Sequence, residues 1–99
     1  MIDYQEEYSI VKSWRLEDGQ TLEYYELKKV PFRHAKVVAC YGAHITDGIN
    51  KYQDFLNNSG KIRLSDGRIA YVDTNKYLRI VDSSNNEVEI FEIGCKRIQ

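Results

Sequence analysis

The chain has 99 residues, of which 42% are hydrophobic and 29% charged, and this balance excludes an intrinsically disordered protein. No apolar run approaches the roughly 20 residues that a membrane-spanning helix requires, and the acidic start does not resemble a signal peptide. We therefore expect one domain over residues 1–99, in the cytoplasm and without a membrane contact.

The net charge of −1 conceals an uneven distribution along the chain. Residues 1–26 contain seven acidic and two basic side chains, which gives this segment a charge of −5. Residues 27–40 contain four basic side chains and no acidic one, which gives a charge of +4. Charge segregation along a chain predicts segregation on the surface, so the two segments are candidates for different partners.

The first elements in chain order are two strands joined by a hairpin. Apolar residues of one parity over 8–16 are typical of a half-buried strand, and they are Tyr8, Ile10, Trp14 and Leu16. Asp18 and Gly19 favour a tight turn, and residues 20–30 form the returning strand. Pro31 has no backbone N–H, so it marks the end of that strand.

A third strand and one helix are predicted next. The β-branched run over 36–41 favours a buried strand, which we expect Gly42 to end. Thr46 and Asp47 are good N-cap residues, and Asn57 to Gly60 would stop a helix. The apolar residues between them follow helical spacing: Ile45, Ile49, Tyr52 and Leu56.

The remaining residues have the pattern of a strand meander. Four short strands are predicted, at 61–65, 68–73, 77–82 and 87–93. Turns are predicted between them, at 66–67, 74–76 and 83–86. The segment Arg15–Gly19 is echoed by Arg63–Gly67, which we interpret as two hairpins with the same turn chemistry.

The predicted fold is thus α+β, a mainly antiparallel sheet or small open barrel of about seven strands, in the order βββαββββ. The short connections leave no room for crossovers, so neighbouring strands should pair antiparallel. An exposed edge strand of such a sheet can pair with a second copy, and a homodimer is therefore one further expectation.

Two cysteines and two histidines raise the question of metal or thiol chemistry. We expect Cys40 and Cys95 to be free, buried thiols in a reducing compartment. Together with His34 and His44 they are ligand types that zinc prefers, but their spacing fits no zinc motif. We predict no metal and no cofactor.

One catalytic alternative depends on Cys40 and His44. A thiol nucleophile needs a base within hydrogen-bond reach, and these residues are four apart in the chain. They would share a face of a continuous strand, but Gly42 is expected to bend the chain between them. A small thiol enzyme is therefore a third hypothesis, behind two binding functions.

The first hypothesis is a non-catalytic protein-binding domain of the inhibitor or adaptor type. It uses the acidic, tyrosine-bearing N-terminal hairpin, with Tyr8, Glu23, Tyr24, Tyr25 and Glu26 as the binding residues. Exposed tyrosines supply large rigid contact areas at protein interfaces, and the acidic charge favours a basic partner.

The second hypothesis is a nucleic-acid-binding module formed by the basic segment 28–36. Its candidate residues are Lys28, Lys29, Phe32, Arg33 and Lys36, and the meander would extend the patch with Arg63, Arg68, Lys76 and Arg79. Clustered cations bind phosphates and aromatic rings stack on bases. The slightly acidic pI of about 6.1 weighs against this hypothesis.

Overall fold

The computed structural model of the chain describes the backbone of residues 4–31, 37–46, 53–54 and 60–98, and the side chains of 9–27, 39–46 and 60–95. The elements in these ranges are nine strands: β1 Tyr4–Arg15, β2 Thr21–Pro31, β3 Val37–Thr46, β4 Gln53–Asp54, β5 Ile62–Arg63, β6 Ile69–Val72, β7 Tyr77–Val81, β8 Glu87–Glu92 and β9 Gly94–Ile98. Within the same ranges, no helix has the length and apolarity needed to cross a bilayer.

The strands form two antiparallel sheets. In the first sheet the order is β1-β2-β3, and the far side of β3 is shared by β4 and β9. β9 pairs with residues 37–41 of β3, whereas β4 pairs with residues 44–45. The second sheet is the meander β5-β6-β7-β8, whose four strands match the four predicted there. Short hairpins connect these neighbours, which is why they pair antiparallel.

The prediction of an α+β fold with a helix after the third strand is wrong. β3 continues past Gly42 to Thr46, and β4 pairs with it at Ile45, so the predicted helix is replaced by strands at both places. Residues 47–52 and 55–59, which the helix prediction also covered, lie outside the described residues. The part of the chain that the structure describes is therefore all β.

The reason for this error is a competition between two periodicities. Ile45 fits a helical stripe with later residues, but it also continues an alternation within β3, which runs Ala39, Tyr41, Ala43, Ile45. Three of these side chains are buried and Tyr41 packs against the core, so the period of two is the one that the fold uses. Gly42 lies on the opposite face of β3, and the strand continues through it.

Every hairpin turn within residues 15–87 that the structure describes has the same form. In each, a residue with positive φ donates its N–H to the carbonyl three residues earlier, as in a type I turn followed by a G1 bulge. The positive-φ residues are Gly19 (92°), Gly67 (93°), Lys76 (66°) and Asn85 (68°). All four predicted turns are thereby confirmed.

The two turns of the echoed segments also contact each other. Leu16 and Leu64 form an isolated antiparallel bridge between the two sheets, and both side chains are buried. Two reciprocal hydrogen bonds flank it, from Glu17 N–H to Arg63 C=O (3.2 Å) and from Ser65 N–H to Arg15 C=O (2.9 Å). The shared turn sequence therefore creates a local twofold arrangement that joins the sheets at one end.

The core lies between the two sheets and draws side chains from both. Its members are Trp14, Leu16, Leu22, Tyr24, Ala43 and Ile45 from the first sheet and its turn, with Leu64, Ala70, Leu78, Ile80 and Ile93 from the second sheet and its flanks. Leu22, Leu64, Leu78 and Ile80 are the largest fully buried side chains among them. Burial of apolar area between the sheets is the main force that holds them together.

A β-bulge in β1 changes which side chains face this core. Ile10 stands opposite Tyr25, but Lys12 stands opposite Tyr24, so Val11 is an extra residue. Ile10 is consequently on the other face of the sheet from Trp14. The predicted common parity of these residues is wrong, because one inserted residue reverses the alternation.

The other edge strand, β8, has a matching bulge. Val88 is the extra residue there, since Ile80 pairs with Glu89 and Val81 with Glu87. Lys12 of β1 and Glu89 of β8 both face the core side of their sheets and form an ion pair with each other. Bulges and inward-pointing charges are two ways in which edge strands avoid pairing with other chains.

The prediction of two free thiols is also wrong. Cys40 in β3 and Cys95 in β9 are directly opposed in the ladder and form a disulfide, although 55 residues separate them. The sequence predicted no strand after Gly94, and without β9 nothing in the pattern brings the two cysteines together.

Candidate functional site

The first sheet has a second face of partly apolar character, on the side away from the core. The register places the residues of this face opposite one another in pairs: Ile10 and Tyr25, Tyr25 and Gly42, Glu23 and His44, Leu27 and Cys40. We call this surface the outer face of the first sheet. Along β2 and β3, residues of the outer face alternate with residues that face the core, because successive side chains of a strand point to opposite faces of the sheet.

Tyr25 lies at the centre of the outer face and is held by two contacts. Its ring stacks on the imidazole of His44, with centroids 4.8 Å apart and planes inclined by 26°. It also covers Gly42, because a Cβ at that position would lie 2.7 Å from the Tyr25 hydroxyl oxygen. Glycine at position 42 therefore makes room for the tyrosine ring.

Glu23 and His44 form a hydrogen-bonded pair on the outer face. Oε1 of Glu23 lies 3.0 Å from Nε2 of His44, and the histidine is only 6% exposed. The pairing satisfies a ring nitrogen that burial would otherwise leave without a hydrogen bond. The arrangement positions the imidazole beneath Tyr25 and keeps the ring contact in place.

The apolar part of the outer face runs from β1 to the disulfide. Ile10 is 41% exposed, and the adjacent bulge residue Val11 is 56% exposed. Leu27 is half-buried and stands opposite Cys40, whose disulfide partner Cys95 is exposed. Aromatic and aliphatic groups with few charges are the composition found at the centres of protein interfaces.

The outer face of the second sheet also has apolar residues, Ile69, Tyr71 and Ile90, but it differs in having a network of paired charges among them. Arg79 donates to Asp73 at 2.6 Å from its Nε and to Glu87 at 3.0 Å from Nη1. The hydrogen bond from Arg79 is the main reason that the pKa of Asp73 lies below its usual value. Nearby, the ammonium of Lys61 lies 5.4 Å from the ring centroid of Tyr71, within cation–π range.

The five predicted protein-binding residues do not share one surface. Glu23 and Tyr25 lie together on the outer face, whereas Tyr24 and Glu26 belong to the opposite face of β2. Tyr8 stands opposite Leu27 in the ladder, and its side chain is outside the described part. The structure thus brings two of the five together.

Tyr24 is a core residue and is only 6% exposed. Its hydroxyl donates to the carbonyl oxygen of Glu92 at 2.7 Å, and its ring packs against Phe91 with centroids 4.8 Å apart. Burial, followed by the nearby charges of Tyr41, Glu92 and Glu26, raises the pKa of this hydroxyl. Tyr24 therefore fixes the two sheets to each other and does not present a surface to a partner.

The basic segment proposed for nucleic acid falls largely outside the described residues. Lys28 and Lys29 belong to β2, opposite Ala39 and Val38 of β3, and their side chains are not described. The other three candidates, Phe32, Arg33 and Lys36, lie between the described ranges.

Three of the four cations in the proposed extension of that patch over the meander have carboxylate partners. Arg63 lies 3.6 Å from Glu17, and Arg68 lies 2.8 Å from Asp66. Arg79 is bound by two carboxylates, and Lys76 occupies a turn. Cations that already have carboxylate partners release less free energy on contacting phosphates, so these residues do not favour a nucleic-acid surface.

Cys40 and His44 do share a face of β3, since the strand is continuous through Gly42. The sulfur of Cys40 is bonded to Cys95, however, and Nε2 of His44 is paired with Glu23. A thiolate nucleophile with a histidine base is therefore not formed. Among the residues that the structure describes, no three His, Cys, Asp or Glu side chains come together as metal ligands.

An open cleft of about 360 Å³ lies where the first turn meets β5, lined by Leu16, Glu17, Asp18, Lys61, Ile62 and Arg63. Its two acidic and two basic side chains balance, so the cleft has no net charge that would select a charged ligand. The outer face of the first sheet is the stronger candidate site.

Sequence reasoning missed Ile10, Val11 and Leu27 as outer-face residues. Leu27 could have been found, because Glu23, Tyr25 and Leu27 alternate along one strand. Ile10 could not, since the bulge that turns it outward has no signature in the sequence.

Comparison with protein-family models, with curated proteins and with solved structures gave no match to this chain. We therefore infer function from the side chains of the outer face and their surroundings.

Proposed function

We propose that the chain is a non-catalytic protein-binding domain and that its partner docks on the outer face of the first sheet. One observation carries this proposal: Ile10, Tyr25 and Leu27 form an aliphatic and aromatic surface on the side of the sheet away from the core. Beside it lies the hydrogen-bonded pair of Glu23 and His44.

The energetics of this surface favour association. Burying an exposed aliphatic side chain contributes roughly 1.5–3 kcal/mol, so Ile10 and Val11 together can supply several kcal/mol to a complex. Tyr25 is already fixed by its stacking on His44. A side chain that is ordered before binding loses little rotamer entropy in the complex, and this preorganisation increases affinity.

The charge of the N-terminal segment indicates the chemistry of the partner. Residues 1–26 carry a charge of −5 and supply β1 and two of the outer-face residues around Tyr25, Ile10 and Glu23. A partner with an apolar centre and basic residues around it complements this surface, since electrostatic complementarity guides encounter and orientation.

The test compares two matched pairs of substitutions. Ile10→Asp and Val11→Asp place charge on the proposed site, whereas Ile90→Asp and Val88→Asp change residues of similar exposure (45% and 49%) on β8 of the second sheet. A partner is captured with the unmodified chain from its native host and purified, and its Kd is then measured by calorimetry. We expect each β1 variant to weaken binding at least about tenfold, the loss of one buried aliphatic contact.

The β8 variants should bind within about twofold of the unmodified chain, a difference well below 1 kcal/mol. Circular dichroism of all four variants checks that the fold persists, which we expect because each replaced side chain is exposed. Equal affinities for all variants would refute the proposed site, and a loss confined to the β8 pair would move the site to the second sheet.

A further inference from the structure

We infer that the Cys40–Cys95 disulfide is a redox-sensitive tie that holds β9 against β3, and that its reduction releases β9 while the two-sheet core persists. Two of its features support a local role. The bond joins an edge strand to its neighbour, and it lies on the outer face of the first sheet. The inference concerns regulation of the proposed binding surface, and in that respect it rests on the proposed function.

The described residues attach β9 to the sheet through its ladder with β3 and through this bond. Its ladder is with β3 alone among the strands that the structure describes. The core ends at Ile93, immediately before β9, and the two described side-chain positions in β9, Gly94 and Cys95, are both exposed. An edge strand whose described positions are exposed opens at low free energy, and the disulfide is a covalent constraint against that opening.

The buried cluster of described residues takes no member from β9. Its members come from β1, β2, β3, the second sheet and the turns between them. The Leu16–Leu64 bridge and the Lys12–Glu89 ion pair connect the sheets without a residue of β9. We expect these contacts to persist when β9 leaves its ladder.

The disulfide is accessible to a dithiol reductant. Cys95 is exposed and Cys40 is half-buried, so a thiolate of the reductant attacks the sulfur of Cys95. The S–S bond breaks, Cys40 leaves as a thiolate, and a mixed disulfide forms at Cys95. The second thiol of the reductant then displaces Cys95. The reductant becomes a disulfide, and the protein gains two electrons and two protons as two thiols.

Release of β9 changes the proposed binding surface directly. Leu27 stands opposite Cys40, which stands opposite Cys95, so the disulfide continues the outer face beyond Tyr25 and Leu27. When β9 leaves, residues 37–41 of β3 lose the hydrogen-bonding neighbour on that side of the strand. The edge of the outer face then has a different shape, and a partner that fits the oxidised surface binds less tightly.

Amide hydrogen exchange of the full chain, oxidised and reduced with dithiothreitol, tests the inference. We expect peptides covering 94–98 and 37–41 to exchange at least about tenfold faster after reduction, because their ladder opens. A peptide covering β7, with Leu78 and Ile80 in the core, should exchange within about twofold of its oxidised rate. Thiol titration confirms two reactive groups per reduced chain.

Two double variants serve as controls for the reductant. Cys40→Ser with Cys95→Ser should exchange like the reduced chain under all conditions. Cys40→Val with Cys95→Val replaces the bond by a cross-strand apolar pair and should restore part of the protection of β9. Unchanged exchange of β9 on reduction would overturn the inference. So would equal loss of protection in β7, since the bond would then stabilise the whole fold.

Binding distinguishes this inference from the proposed function. If Ile10→Asp abolishes partner binding but reduction leaves it unchanged, the surface stands and its redox regulation fails. The opposite result is that β9 opens on reduction while neither the oxidation state nor any β1 substitution affects binding. The proposed binding surface is then wrong, and the inference that the disulfide holds β9 is confirmed.

Discussion

The two sheets share one core but differ on the faces that they turn away from it. On the second sheet, Arg79 is bound to Asp73 and Glu87, and this charge network lies on the outer face between Tyr71 and Ile90. On the outer face of the first sheet lie Tyr25 and Leu27, with the hydrogen-bonded pair of Glu23 and His44 beside them. Both outer faces therefore carry apolar side chains, and the charge network of the second sheet is what distinguishes them.

Among the described residues of the first sheet, no such charge network interrupts the apolar groups of the outer face, and this difference supports the proposal of a binding surface there. Tyr24 faces the core and Tyr25 faces outward, although they are neighbours in β2. Apolar residues that the core does not use are the ones available for a partner. The predictions below test whether the two sheets form one cooperative unit and whether their outer faces differ as described.

The largest effect is expected in the shared core. Leu22 of the first sheet and Leu78 of the second are both 0% exposed and belong to one cluster. We expect Leu22→Ala and Leu78→Ala each to lower the free energy of unfolding by about 3 kcal/mol, from lost burial and the cavity left behind. Urea unfolding followed by circular dichroism measures both.

The same experiment tests cooperativity between the sheets. If they unfold together, both variants shift a single transition and leave its slope unchanged. Two separate transitions, of which each substitution shifts only one, would show that the sheets are independent. Val88→Ala, at an exposed position of β8, is the matched control and should change the free energy by less than about 0.5 kcal/mol.

The fold could be predicted from the sequence where its signals are local. Each hairpin turn is specified within a few residues, by Gly19, by Gly67 and by polar residues before Lys76 and Asn85. The meander strands follow from alternation between these turns. Ile45 was misassigned because its helical spacing and its strand alternation both fit the sequence, and only the pairing of β3 with β2 decides between them.

The candidate site was less predictable because it depends on long-range pairing. The bulge at Val11 reverses the face of Ile10, and its position follows from the ladder with β2. The disulfide between Cys40 and Cys95 requires β9 to return beside β3. Glu23 and Tyr25 share a face of β2, as strand alternation indicates, but which of Tyr24 and Tyr25 faces the core depends on the register, which a one-residue slip exchanges.

The next effect is expected at the centre of the outer face. A Cβ at position 42 would lie 2.9 Å from Cζ of Tyr25, so Gly42→Ala forces the ring from its stack on His44. We expect a loss of about 1–2 kcal/mol, the usual effect of overpacking. In a Tyr25→Ala background the same substitution should have almost no effect, and an undiminished loss there would exclude the contact as its cause.

A smaller effect, with a defined pH dependence, is expected on the outer face of the second sheet. The pKa of Asp73 is lowered in the folded chain below its ordinary value of 3.8, chiefly by the hydrogen bond from Arg79. A lowered folded-state pKa stabilises the fold above the unfolded value, and this contribution is lost as the pH falls through the folded value.

Asp73→Asn removes that titration. We expect this variant to be less stable than the unmodified chain at neutral pH and to approach it as the pH falls well below 3.8. Thermal unfolding at neutral pH and at acidic pH measures the difference. A gap between the two proteins that widens on acidification would contradict the ion pair as its source.

The smallest effects are expected in the turns, where the two sheets again differ. Lys76 and Asn85 of the second sheet have φ values of 66° and 68°, a region that residues with a Cβ seldom adopt. Lys76→Gly relieves about 1 kcal/mol of this strain but makes the unfolded chain more flexible, so we expect a net gain of about 0.5 kcal/mol. Asn85→Gly should gain less, because asparagine tolerates this conformation better than lysine does. The opposite substitution in the turn of the first sheet, Gly19→Ala, should destabilise by about 1 kcal/mol, since that glycine has a φ of 92°. A loss of stability in Lys76→Gly would mean that the lysine side chain contributes a contact outweighing the strain of its backbone.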